Sequence, residues 1–212
     1  MPTKLIPVGE ARRIQSNVLT DLRKLSNEGK HMNGAQVMEK LLIFMEFQYG
    51  TKVPGKPYQM RDNHQIDNKP LIGIRLSLGN MCLQISDFER ALTHALAALE
   101  MLKNRIIGCT VDEIALLFAV ESLLTQIHIC RSDHLTAQHH AEQALIAARR
   151  YSGPERISFI YQALKKLAGI LKLLSCGNEA VTLSEEAYEL VSGVHALSIP
   201  MYKMQQWNSL RF

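Results

Sequence analysis

The chain has 212 residues, 47% of them apolar and 21% charged, which is ordinary for a globular protein with a core of its own. No apolar run reaches the roughly 18 residues of a membrane span; the nearest, Ile114 to Val120, is ended by Glu121. The net charge of +4 lies wholly in residues 1–69, with 11 Lys/Arg against 7 Asp/Glu, whereas residues 70–212 hold 13 of each. Basic residues so interspersed with acids read as a solvated surface, so nucleic-acid binding is not expected. The start, Met1 to Pro7, lacks the apolar core of a secretory signal. The cysteines Cys82, Cys109, Cys130 and Cys176 have no paired spacing. Reduced thiols in an intracellular protein are expected, cytoplasmic or alternatively nuclear.

Few Gly and Pro among abundant Leu and Ala predict helices throughout. The first runs from about Glu10 to Asn27, with Ile14, Val18, Leu22 and Leu25 as its stripe. Asn33-Gly34 predicts a turn, and a second helix follows from Ala35 to about Tyr49, stopped by Gly50. Residues 51–69, with Pro54, Gly55, Pro57 and two Asp-Asn pairs, predict a long loop of the kind that is functional or a tolerated insertion. Pro70 opens a third helix, to about Leu83. Ser86-Asp87 caps a fourth, to about Lys103, and Thr110 with Glu113 makes a capping-box start for a fifth, to about Ile129. The fifth is apolar nearly all round, which places it at the centre of the molecule. Ser132-Asp133 caps a sixth helix to about Tyr151, and Ser152-Gly153-Pro154 breaks the chain before a seventh, to about Leu174. Gly177-Asn178 turns into an eighth, to about Val191, ended by Ser192-Gly193. Residues 197–212 predict a capping helix, Met201 to about Leu210, with Met204 and Trp207 on its apolar side.

One spacing recurs three times. Leu78-Gly79 is followed by Ala91, Ala95 and Ala98; Leu124-Thr125 by Ala137, Ala141 and Ala144; Leu167-Ala168 by Ala180, Ser184 and Ala187. Small residues at these intervals suit two antiparallel helices in close contact, stacked on the next pair. With Asp87-Phe88 at the turn, the first copy resembles a tetratricopeptide repeat (TPR), and the others follow it across residues 70–192. The matched alanines Ala91, Ala137 and Ala180 stand 46 and 43 apart, wider than that family's usual ~34, so this resembles its divergent long-helix members. The fold class expected is all-α: a TPR-like α-α superhelix of about four helix pairs plus the capping helix, as one domain over 1–212. Residues 10–50 form the degenerate first pair, with Ala35 in the key alanine role.

The resemblance implies a concave groove lined by the first helix of each pair. It assigns Gly73, Leu76, Asn80 and Leu83 there, then Ala119, Ser122, Gln126 and Ile129, then Gln162, Lys165, Gly169 and Lys172. Asn80, Ser122, Gln126, Gln162, Lys165 and Lys172 carry the partner-binding chemistry: amides bond an extended backbone, and lysines favour an acidic group. Trp207 and Phe212 form a second candidate surface on the last helix, against the plainer reading of a cap over the eighth helix. His128, Cys130, His134, His139 and His140 fall within 13 residues, but adjacent histidines on a helix diverge by about 100°, so no metal site is expected. Gly50 to Lys56 has phosphate-loop spacing, but Pro57 stands where Ser or Thr is required. No nucleophile–base pair or carboxylate dyad stands out, so neither catalytic residues nor a cofactor is expected. The function implied is a non-catalytic protein–protein scaffold, adaptor or complex subunit. A peptide-sensing regulator and an RNA-binding array using the basic N-terminal third are the alternatives.

Overall fold

The computed structural model describes residues 31–51, 59–60, 69–103 and 110–195, with scattered positions between 10 and 28. The predicted last helix, with Trp207 and Phe212, lies outside the described residues, as does half of the predicted first helix. The elements in order are α1 (His31–Tyr49), β1 (Gly50–Thr51), β2 (Gln59–Met60), α2 (Lys69–Gln84), α3 (Phe88–Lys103), α4 (Val111–Cys130), α5 (His134–Arg150), α6 (Arg156–Leu173) and α7 (Gly177–His195). The fold is all-α in its body, a stack of helix pairs. The 51–69 loop differs from expectation at its ends: Gly50 and Thr51 pair antiparallel with Met60 and Gln59, and α2 already begins at Lys69.

Each helix packs on the next, α1 on α2 through to α6 on α7, and in addition α2 packs on α4 and α4 on α6. The odd-numbered helices are joined instead by long side chains. Arg90 of α3 pairs with Glu39 of α1, and Arg149 of α5 with Glu186 of α7 at 2.7 Å. The contacts of α2 with α4 and of α4 with α6 put these three helices in one layer, here called the inner one, and α3, α5 and α7 in the other, the outer one. The central position of α4 accounts for its apolarity. It is long and apolar enough to cross a membrane by length and composition, with a mean hydropathy of 1.5, but it packs here on α2, α3, α5 and α6.

The small-residue pattern works as its spacing predicts. Ala91, Ala95, Ala98, Ala137, Ala141, Ala144, Ala180 and Ala187 are all buried. A Cβ on Gly79 would come within 2.7 Å of Leu123 Cδ2 and 3.5 Å of the Ala91 carbonyl, so α2 passes α3 and α4 where only glycine fits without a shift. Thr125 and Ala168, its counterparts, are buried as well. Thr125 satisfies its hydroxyl on the Glu121 carbonyl at 2.8 Å.

The turns inside the three pairs are built alike, and they correct part of the sequence reading. Ser86, Ser132 and Ser175 all take left-handed backbone, φ 60°, 60° and 62°. Each serine N–H bonds three residues back, and the next N–H bonds five back: Asp87 to Cys82 O at 2.8 Å, Asp133 to His128 O at 2.9 Å, Cys176 to Leu171 O at 2.8 Å. This pair of hydrogen bonds closes a helix C-terminus, and the left-handed position in it is usually given to glycine. The serines therefore end the first helix of each pair, and the aspartates start the second. Asp87 Oδ1 accepts the Arg90 N–H and Asp133 Oδ1 the Thr136 N–H, both at 3.2 Å. In the third pair the turn falls at Ser175, not at Gly177, which already begins α7.

Other boundaries also shift. α1 starts at His31, through the Asn33-Gly34 expected to form a turn. Gly34 is buried, and the start lies four residues before Ala35, where α3, α5 and α7 start three before Ala91, Ala137 and Ala180. Packing thus outweighs the roughly 1 kcal/mol that glycine costs a helix. α7 continues through Ser192-Gly193 to His195, and α6 begins at Arg156, two residues past Pro154. The Thr110–Glu113 capping box forms as expected: Glu113 Oε2 accepts the Thr110 N–H at 2.9 Å, and Thr110 Oγ1 accepts the Glu113 N–H at 3.4 Å.

Candidate partner-binding groove

The inner layer carries the positions that the repeat resemblance assigns to a groove on α2, α4 and α6, and the structure divides them. Leu76 is buried, and Leu83 and Ile129 pack against the core clusters, so these three support the groove rather than line it. At Gly73 and Gly169 an added Cβ would meet nothing within 4 Å, so both open onto free surface. Asn80 is exposed and donates to the Leu76 carbonyl at 3.0 Å. Gln126 is half-buried, with Nε2 3.8 Å from Cys130 Sγ. Gln162 is exposed and reaches Ser158 Oγ at 3.1 Å. Each amide is held by its own helix one turn away, a contact that an incoming peptide group can replace at little loss. Lys165 and Lys172 are exposed.

Sequence reasoning missed the most informative side chain. Lys166 crosses the seam between α6 and α4, and its Nζ donates to the backbone carbonyl of Ser122 at 3.3 Å. Burial pushes its ammonium below the ordinary lysine value. An ammonium offers three donors, and among the described residues no carboxylate lies in ion-pair reach of Lys165, Lys166 or Lys172. The signal available was the doublet Lys165-Lys166 just before Leu167: neighbours on a helix diverge by about 100°, so if one faces water the other faces the seam. The helix as a whole is one-signed. α6 carries Arg156, Lys165, Lys166 and Lys172 and no Asp or Glu, whereas α7 carries Glu179, Glu185, Glu186 and Glu189 and no Lys or Arg.

Three of the clustered histidines form a chain of contacts inside the α4–α5 pair. Glu121 is buried, and its Oε2 meets His140 Nδ1 at 2.7 Å. The His140 ring stacks on His128 at 5.4 Å, and His128 Nδ1 lies 3.2 Å from Asp133 Oδ2. Burial, and then the charge of His140, push the His128 imidazole below its ordinary value. His139 meets the edge of His140 at 5.5 Å. Among the described residues no three His, Cys, Asp or Glu side chains converge on a point that could hold a metal ion.

No protein-family model matches the sequence, and no curated protein does. Solved structures do resemble the fold. BtubC (BKLC) from P. vanneervenii superposes with a TM-score of 0.70 at 16% identity, over 90% of this chain and 67% of that one. The yeast histone chaperone Hif1, described as a scaffold protein recruiting protein complexes to core histones, superposes with a TM-score of 0.65 at 14% identity, over 93% of this chain and 91% of its own. At these identities the likeness is one of fold: this chain is built as a helical-repeat array, as those proteins are.

Proposed function

We propose that this chain is a non-catalytic, TPR-like scaffold that holds an extended acidic segment of another protein against the inner faces of α4 and α6. The observation that carries the reading is Lys166, a cation drawn into the α4–α6 seam with one backbone carbonyl as its partner among the described residues, beside the exposed Lys165 on a helix without carboxylates. A carboxylate arriving there satisfies donors that the fold leaves open, in a setting drier than bulk water and therefore electrostatically stronger. Gln126 and Gln162 flank it with amides able to bond a peptide backbone. The scaffold role described for Hif1 accords with this class of function, although an acidic ligand is the opposite in charge to a histone. The cytoplasm or nucleus is the setting that the reading assumes.

The test uses a labelled Glu-Ala decapeptide and a Lys-Ala counterpart, titrated by fluorescence anisotropy at two salt concentrations. The acidic peptide is expected to bind, more weakly at higher salt, and to lose at least tenfold in affinity to Lys165→Glu with Lys166→Met. Equal binding of both peptides, or no response to the double variant, sinks the proposal. Preference for single-stranded RNA over either peptide would favour the RNA-binding alternative.

A further inference from the structure

The three copies match residue by residue, yet their outer faces do not share one fate. Leu99 of α3 and Leu145 of α5 are 5% and 7% exposed; Tyr188, in the same place on α7, is 74% exposed. Ala95 and Ala141 are buried, and Ser184, their counterpart, is exposed. In the first two copies the cover is the next inner helix. Ala95, Ala98 and Leu99 pack with Val120, Leu123 and Ile127 of α4. Ala141, Ala144 and Leu145 pack with Ile160, Leu164 and Leu167 of α6. Past α7 that place is a cavity of about 490 Å³ lined by Lys172, Val181, Ser184, Glu185, Tyr188 and Glu189. By internal equivalence it is a seat for one more amphipathic helix.

We propose that this seat is filled by residues 201–210 of the same chain, with Trp207 against Ser184 and Tyr188. Three facts of the chain select this occupant. Seventeen residues follow His195. Met201, Met204, Trp207 and Leu210 stand near helical spacing and give the segment a broad apolar side. The connection has the right length: five residues, 151–155, join α5 to α6, and five, 196–200, join His195 to Met201. A tethered segment also acts at high effective concentration and outcompetes a free helix of equal affinity. The cap stands apart from the acidic-segment reading, since Gln126, Gln162, Lys165 and Lys166 do not line the seat; Lys172 is the one groove candidate the two share.

Trp207 is the chain's single tryptophan, so its emission reports the seat directly. In the full chain its fluorescence is expected to be blue-shifted from N-acetyl-tryptophanamide and quenched several-fold less by acrylamide, at every protein concentration. Ser184→Arg, which fills the seat, should return emission and quenching to those of the free indole. Leu135→Arg, on an exposed apolar residue of α5, should change neither. Tyr188→Ser serves in place of Ser184→Arg if circular dichroism shows helix loss in the latter. A fully quenched tryptophan in the wild type overturns the proposal, as does protection untouched by both seat variants. Protection that fades on dilution, with a dimer mass in sedimentation, assigns the seat to a second copy and overturns it equally.

Discussion

The central pair α4–α5 and the terminal pair α6–α7 follow one spacing and end in different environments. The central pair is covered on both sides and encloses polar groups, with Glu121 bonded to His140 and His128 between His140 and Asp133. Among the described residues the terminal pair is covered on one side, and its polar groups are sorted by helix, basic on α6 and acidic on α7. A repeat spacing therefore encodes the contact within a pair. On the outer faces the residue types diverge: Ala141 and Leu145 are buried under α6, whereas Ser184 and Tyr188 of α7 are exposed.

The largest way to break this contrast is His140→Ala. It leaves the Glu121 carboxylate buried without its partner, and unfolding in urea should show a loss of about 3 kcal/mol. A loss below about 1 kcal/mol would mean that the enclosed polar chain contributes little and that the two pairs are energetically alike. The same region sets an acid limit. His128 is held below its ordinary value of 6.5 by burial and by His140, and His94 by burial and by Arg75. Below pH 6.5 the unfolded chain therefore binds more protons at these sites than the folded one. Their contribution is complete above pH 6.5 and is lost as pH falls through the window beneath it. Urea midpoints measured from pH 8 to 5 should decline, and His128→Gln should flatten the decline despite the neighbouring Glu121, Asp133, Arg131, His139 and His140.

Next in size is Ala137→Leu, which overpacks a fully buried position and should cost about 2 kcal/mol. Ala180→Leu should cost as much, because the inner contact is the same in both pairs; a markedly smaller loss at Ala180 would show that the terminal pair is loosely packed throughout. A gain is expected from Ser132→Gly and Ser175→Gly. Removing left-handed strain gives about 1 kcal/mol, and the extra freedom of the unfolded chain takes back about 0.5, leaving about 0.5 kcal/mol at each. Unequal gains would show that the Asp133 cap, absent from the third turn, changes the strain. The smallest effect belongs to Arg149→Ala. It breaks a half-exposed ion pair between α5 and α7 and should cost about 0.3 kcal/mol, vanishing in high salt.

How much of this was legible follows from the same contrast. The stripe Ala91, Ala95, Ala98 and its copies, the Thr110 box and the Asp87 and Asp133 caps are local signals, and they located the pairs. The start of α1 at His31 was hidden because Asn33-Gly34 is a turn by propensity and a helix only by packing. Ser86 and Ser132 were read as caps because the sequence Ser-Asp suits both the end of one helix and the start of the next, and Ser175 was passed over for the glycine two residues on. Lys166 could not be found by pattern alone: its partner Ser122 lies 44 positions away, and its burial exists only where α4 and α6 meet. Of the residues assigned to the groove, Asn80, Gln162, Lys165 and Lys172 are exposed and Ser122 and Gln126 half-buried, whereas Leu76, Leu83 and Ile129 pack into the core clusters.

The sorting of charge on the last two helices has a kinetic consequence. Two adjacent helices of opposite sign set up a local dipole whose field reaches about a Debye length, roughly 8–10 Å at ordinary salt. An approaching charged surface is turned by that field before it touches, its acidic side towards α6 and its basic side towards α7. Orientation of this kind acts on encounter rather than on residence. Added salt should therefore slow association while leaving the lifetime of a formed complex nearly unchanged.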